Sequence, residues 1–413
     1  MSDESIPVVA IIGGGFCGMV TAVNLFQSPV PIEIVIVNDG YPFGKGVAYS
    51  AHSEKYLLNV RAVNMSAYAD MPQHFLDWVC AVDKYRNISK NIMTNVYVPR
   101  KIYGDYLSSV WNESLEIKNE WVHAQCINAK AVDINANTDH YTIHFKDQSF
   151  LQANIVVLAT GNTKPAELKI ANSSFTESKK YFSNPWTKEC VTDFETTKDI
   201  LIVGNGLTMI DTVLGLLENR FKHTIYTISP NGFYLLPHKY NLLVYDTIAD
   251  ELPQAHSLHH ILSLVNKHAK RLAGIGIGEH LIIDGLRPFS QQIWQSWTLK
   301  EKRTFIKKLS RPWTALRHRI PLHIFEYMQE LRLKKRLVTY KGKLTDATET
   351  EEGITVSFFN KETKQKETIL VDRVINCTGP DSNICRSSNV LLKNLATKGS
   401  IVPDALQLGI DAD

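Results

Sequence analysis

Apolar and polar positions along the chain follow two periodicities, and the sequence switches between them in a repeated order. Val8–Ile12 is a continuous branched run of the kind that forms a strand buried on both faces. Residues 16–26 have helical spacing, and 32–37 form a second apolar run, so the chain opens on a predicted βαβ unit. From 49 to about 121 the pattern is mainly helical, with Pro72 placed to open a helix over 73–82 and an amphipathic run over 101–111. Three β-like stretches at 129–134, 141–145 and 155–158, separated by Asn- and Asp-containing turns, predict a β-meander. After Lys198 the opening pattern returns as strand 200–203, glycine turn, helix 208–217 and strand 224–228. Residues 233–335 are again helical, and 337–374 return to strands, with 370–375 the last clear one.

The expected fold class is therefore α/β, with two Rossmann-like dinucleotide-binding domains. The first, over 1–164, carries the meander; the second, over 165–380, carries a helical insertion at about 233–335. Residues 381–413 form a short segment returning toward the first domain.

Length and composition agree with this division. The 413 residues exceed what one core usually serves, and 44% hydrophobic with 21% charged residues is a globular composition. A balance of 45 basic and 42 acidic residues, net +3, argues against nucleic acid or an anionic membrane as partner and favours a small molecule. The six cysteines show no zinc or dithiol spacing, which points to a reducing compartment and to no metal centre. No apolar run reaches membrane-spanning length and the first is too short for a secretion signal, so the expectation is a cytoplasmic protein without an anchor.

The chemistry lies in the two glycine turns. Gly13, Gly15 and Gly18 complete a G-x-G-x-x-G immediately after a strand and before a helix, where glycines permit a tight turn, close approach of a pyrophosphate and close helix packing. The ribose-binding position at the end of the next strand falls at Asn38 or at Asp39, and Asp39 is the preferred reading because it is a carboxylate. In the second turn Gly204 and Gly206 are present, followed by Thr208, but Met209 occupies the third glycine position. The strand after it ends at Ser229 with no carboxylate, so NADPH is favoured over NADH, with Ser229 and Lys239 placed to receive a 2′-phosphate.

These turns, together with 44–50, 57–60, 65–67, 98–107, 159–162, 204–211, 236–238, 311–319 and 376–380, resemble a known group. They are similar to the two-dinucleotide-binding-domain flavoproteins, and within them to FAD/NAD(P)-binding proteins distantly related to N-hydroxylating flavin monooxygenases. The resemblance implies FAD at the first turn and NADPH or NADH at the second. It also implies that Gly44, Lys45 and Gly46 approach FAD on its flavin side and that Asn59, Met65 and Arg100 lie near the isoalloxazine or ribityl. Thr160 with Gly161, and Thr378 with Gly379, end strands where the backbone turns past a cofactor. Arg100 reads equally as a salt-bridge partner inside the first domain, and Met65 as ordinary core. The chain departs from the family at Asn38, at Ser229, and at its end, where the resemblance implies one further strand closing the FAD site.

The resemblance implies a FAD- and NAD(P)H-dependent oxidoreductase of monooxygenase type acting on a small amino-acid-like or amine substrate. The alternatives are a dinucleotide-binding module, or a truncated family member without turnover of its own. Cysteine spacing argues against a redox-active dithiol of the thioredoxin-reductase type, and residues 181–186 lack the histidine of the Baeyer–Villiger signature. His238, Arg317 and Arg319 are the catalytic or substrate-holding candidates, since guanidinium groups bind carboxylate or phosphate bidentately. Against this stand a hydrogen-bonded turn histidine and helix salt bridges.

Overall fold

The computed structural model describes residues 6–194, 198–238, 245–252 and 257–411. Strands β1 (Val8–Ile12), β2 (Ile32–Asn38) and β3 (Val122–Asn128) pair in parallel. One face of this sheet packs on the helices Phe16–Leu25 and Arg100–Glu116, where Met19, Ala22, Tyr103 and Leu107 are buried against Ile11, Ile34 and Ile36. A three-stranded antiparallel meander follows, made of β4 (Ala131–Ala136), β5 (Tyr141–Phe145) and β6 (Phe150–Ala153). The chain then returns through β7 (Ile155–Leu158), which pairs in parallel with β1 to give the order β3-β2-β1-β7.

The third meander strand is thus Phe150–Ala153, and the expected assignment of 155–158 is corrected. A four-residue branched run carries no mark of its partner; its two faces pack here on opposite sides of the parallel sheet. The face opposite the helices is covered by the meander and, from far along the chain, by the helix Val390–Thr397. Leu391 and Leu395 enter the core formed by Ile12, Val37, Ile134 and Ile143, and Asn394 donates to the Val132 carbonyl at 2.9 Å.

The second sheet has seven strands: β8 (Tyr181–Phe182), β9 (Ile200–Val203), β10 (Ile225–Ser229), β11 (Leu337–Thr350), β12 (Gly353–Asn360), β13 (Gln365–Val371) and β14 (Arg373–Asn376). Their order is β13-β12-β11-β10-β9-β14-β8, parallel from β11 to β8 and antiparallel beyond it. The run 370–375, expected as one strand, is divided at Asp372, whose backbone N–H turns aside to the Asp199 carbonyl at 2.7 Å. Its first half finishes the outer hairpin and its second half lies fully buried beside β9.

From Thr247 to Leu333 the described residues between β10 and β11 are mainly helical. Helices Leu258–Ala273, His280–Leu286, Ser290–Ser296, Leu299–Lys308 and Ser310–Arg317 surround a core of their own that includes Leu264, Leu272, Leu286 and Trp297. The next helix, Leu322–Leu333, belongs instead to the sheet, which it meets through Ile324, Met328 and Leu331. Among the described residues no helix is long and apolar enough to cross a membrane.

Candidate functional site

The two glycine turns are built alike, down to individual backbone atoms. Gly13 donates its N–H to the Val37 carbonyl and Gly204 donates to the Ile228 carbonyl, both at 2.8 Å. Gly13 has φ +119° and Gly204 +116°, conformations that glycine adopts without penalty. A methyl group at Gly13 would lie 2.1 Å from the Ala159 carbonyl oxygen, and one at Gly204 would lie 2.3 Å from that of Cys377. Each turn is therefore pressed against the residue that ends a neighbouring strand, β7 in one case and β14 in the other. Gly18 performs the packing expected of the third glycine, since a methyl there would lie 1.8 Å from the Gly13 oxygen.

The two turns open onto helix N-termini that no side chain caps, at Phe16–Leu25 and at Leu207–Glu218. Uncapped N–H groups at the start of a helix form an anion site. Around the first turn the structure gathers most of the predicted residues. Gly44 donates its N–H to the Gly14 carbonyl at 2.8 Å, Gly46 packs against Gly15, and Thr160 and Gly161 follow β7 at the same edge. Space for a ligand is left at Gly161, Gly206 and Gly379, where an added methyl would meet nothing within 4 Å. These cradles fit a dinucleotide pyrophosphate. In the second half, Thr208 begins the helix, and Thr378 is tied to Asn376 by a 2.7 Å hydrogen bond.

Of the two ribose candidates, Asn38 lies at the turn, its side chain so close over Gly14 that a methyl there would meet Asn38 Oδ1 at 2.6 Å. Asp39, the preferred one, instead faces Lys130 Nζ at 3.1 Å. Lys45 is likewise occupied, bonded to Asp105 at 2.8 Å, and Met65 packs against the first-domain core.

Arg100 proves to be a salt-bridge partner between the domains. Its Nη2 lies 3.1 Å from Asp211 Oδ2 on the helix after the second turn, and its Nε donates to the Leu57 carbonyl at 3.3 Å. Burial drives the Asp211 carboxyl up to about 6 even though the Arg100 guanidinium pulls it down. A cavity of about 20 Å³, room for a single water, is lined by this pair with Asn59, Ile210 and Ile320.

His238 closes the same seam: its Nε2 donates to the Asn59 carbonyl at 3.1 Å, with the Tyr97 ring 5.1 Å away. Burial, reinforced by the Arg319 and Arg61 charges, pushes His238 down to about 4, so it is neutral near pH 7 and does not attract an acidic group by charge. Arg319 is buried and fully engaged, with both Nη atoms on Asp284 at 2.9 and 3.0 Å and further bonds to the His280 and Leu316 carbonyls. It is a structural ion pair of the insertion. Arg317 is exposed and lines a separate cavity within the insertion.

One residue at the second turn was not legible beforehand. Ser229 accepts from the Gly232 N–H at 3.1 Å, and β11 brings Lys341 opposite Ser229 in the parallel register. The Lys341 stem lies beside Gly232, where a methyl would sit 3.1 Å from its Cβ. A lysine of the neighbouring strand thus stands beside this strand end, brought there by register and not by the local sequence. Lys239 lies outside the described residues.

Residues 10–163 match a protein family described as FAD-NAD(P)-binding, so the chain carries an FAD/NAD(P)-binding domain. No curated protein matches the chain. Among solved structures, L-lysine 6-monooxygenase from Pseudomonas syringae superposes with a TM-score of 0.61 at 13% identity, covering 97% of this chain and 86% of that one. An ornithine N-hydroxylase of Kutzneria sp. 744 gives 0.60 at 12% identity, with 91% and 81% coverage. The bacillithiol disulfide reductase of Staphylococcus aureus gives 0.51 at 13%, with 91% and 76%. These likenesses establish a two-domain FAD/NAD(P)-binding fold.

Proposed function

We propose that the chain is an FAD- and NADPH-dependent oxidoreductase of monooxygenase type, acting on a small amine or amino-acid-like substrate. The observation that carries this reading is the glycine turn built twice, each copy with an uncapped helix N-terminus and an open cradle beside it. The family match supports FAD at the first turn, and the likeness in fold to the solved L-lysine 6-monooxygenase and ornithine N-hydroxylase, over 86% and 81% of their lengths, supports the monooxygenase type. When bound, reduced nicotinamide supplies a hydride and flavin passes the electrons on to oxygen. The protein's share is binding and alignment: the Phe16 and Leu207 helix termini hold the two pyrophosphates and Asn38 bonds a ribose hydroxyl. Arg100–Asp211 and His238–Asn59 fix one domain against the other. His238 positions; it does not transfer the hydride.

An absorbance spectrum of the purified chain after loading with FAD, followed by anaerobic NADPH titration, tests the reading. The flavin bands are expected to appear and then to bleach, and oxygen uptake should rise with lysine, ornithine or cadaverine. A chain that takes up no flavin refutes it, and bound flavin that NADPH does not reduce selects the binding-module alternative.

Lys341 gives this reading its cofactor preference. Lys341→Glu is expected to weaken 2′,5′-ADP binding about tenfold or more, the loss of one charge-assisted contact, while ADP binding stays within about twofold. Equal loss for both nucleotides would remove Lys341 from 2′-phosphate recognition.

A further inference from the structure

We infer that the helical insertion contains a second small-molecule site, whose ligand is an apolar carboxylic acid. The site is the cleft of about 330 Å³ among the insertion helices. This volume reaches the lower end of the range of small-molecule sites. Its walls are apolar and aromatic, including Leu262, Ile283, Ile293, Trp294, Trp297 and Trp313. Trp297 is only 7% exposed, and its indole N–H meets no acceptor among the described residues, an orphaned donor in the wall of the cleft.

The charge of the ligand follows from what lines the cleft. Among the described residues no carboxylate does so, and Ser290 spends its hydroxyl on the Leu286 carbonyl at 3.2 Å. The charged lining residue is Arg317, whose exposed guanidinium has no ion pair or hydrogen bond among the described residues. Lys302, held 5.5 Å over the Trp294 ring, adds positive potential nearby. An anion at Arg317 with an apolar body between the tryptophans satisfies both features, and a guanidinium is the side chain that grips a carboxylate by two parallel bonds.

The cleft is separate from the dinucleotide turns. All of its lining residues lie in the insertion, between Leu258 and Arg317, and none belongs to either glycine turn or to the Arg100–Asp211 seam. The site therefore stands whether or not the dinucleotide reading does.

Decanoate and 1-decanol are the probes, titrated below their aggregation limits into the purified chain as isolated, and read by tryptophan fluorescence and melting temperature. Decanoate is expected to bind saturably, at least tenfold more tightly than decanol. Arg317→Gln should bring decanoate down to the level of decanol and leave decanol unchanged, and Ile293→Trp, which fills the cleft, should abolish both while the far-ultraviolet circular dichroism is retained. Absence of saturable decanoate binding overturns the site. Equal binding of the two probes, or no effect of Arg317→Gln, overturns the acid class. Unchanged binding in a folded Ile293→Trp overturns the location.

Discussion

Alanine at Gly13 is expected to yield a chain that no longer retains flavin. The position combines a φ of +119° with a would-be methyl 2.1 Å from the Ala159 carbonyl oxygen. Both obstacles are backbone, so no rotamer change relieves them. The backbone conformation alone costs an L-residue about 1–3 kcal/mol, and the contact forces β1 and β7 apart as well. The expected result is a fall of several degrees in melting temperature and a drop of at least about a hundredfold in FAD affinity, read from the flavin-to-protein ratio. Gly206→Ala is the contrasting case. Its φ of −97° suits alanine and nothing lies within 4 Å of the added methyl. The melting temperature should hold while NADPH binding weakens about tenfold, because the methyl enters the space assigned to the pyrophosphate. A normal flavin content in Gly13→Ala would count against this account of the turn.

The second large effect is expected at the domain seam. Arg100→Met leaves the Asp211 carboxylate buried without its partner, a change that typically costs about 3–5 kcal/mol. The pH dependence gives the mechanism a signature. Asp211 already has a folded value raised to about 6, above that of the unfolded chain, so its contribution is most favourable when protonated and is lost as pH rises through that value. Removing Arg100 raises it further. Denaturant unfolding should therefore show the variant most destabilised at pH 8 and partly recovered at pH 5, and adding Asp211→Asn should remove both the penalty and its pH dependence. A pH-independent loss would assign the effect to packing, including the Arg100 contact with the Trp186 ring at 5.7 Å.

The residues that were legible in advance are those whose reason is local. Gly13, Gly18 and Gly204 announce themselves because a tight turn against a strand end excludes every side chain, and the strand and helix on either side follow from periodicity. What depended on pairing was hidden. Nothing near Ile155–Leu158 says that its partner is β1, and nothing near Lys341 says that a register places it opposite Ser229. Asp39 stands one residue past the strand end, with Lys130 Nζ 3.1 Å from its carboxylate, a neighbour that the sequence around it does not announce. Arg319 was singled out for its guanidinium, but its bidentate partner Asp284 lies on the helix His280–Leu286, 35 residues earlier. Charge type is written in sequence, whereas whether the charge is already spent is a property of the fold.

The placement of helix Val390–Thr397 bears on how the chain is made. Its Leu391 and Leu395 complete a core whose other members, Ile12, Val37, Ile134 and Ile143, belong to the earliest part of the sequence. During synthesis the first sheet and its meander are extruded long before this cover, and the entire second domain emerges in between. The first domain thus waits for most of translation with the part of that apolar core left open by the meander still uncovered, which makes it the natural target of a chaperone and the place where nascent chains would adhere to one another.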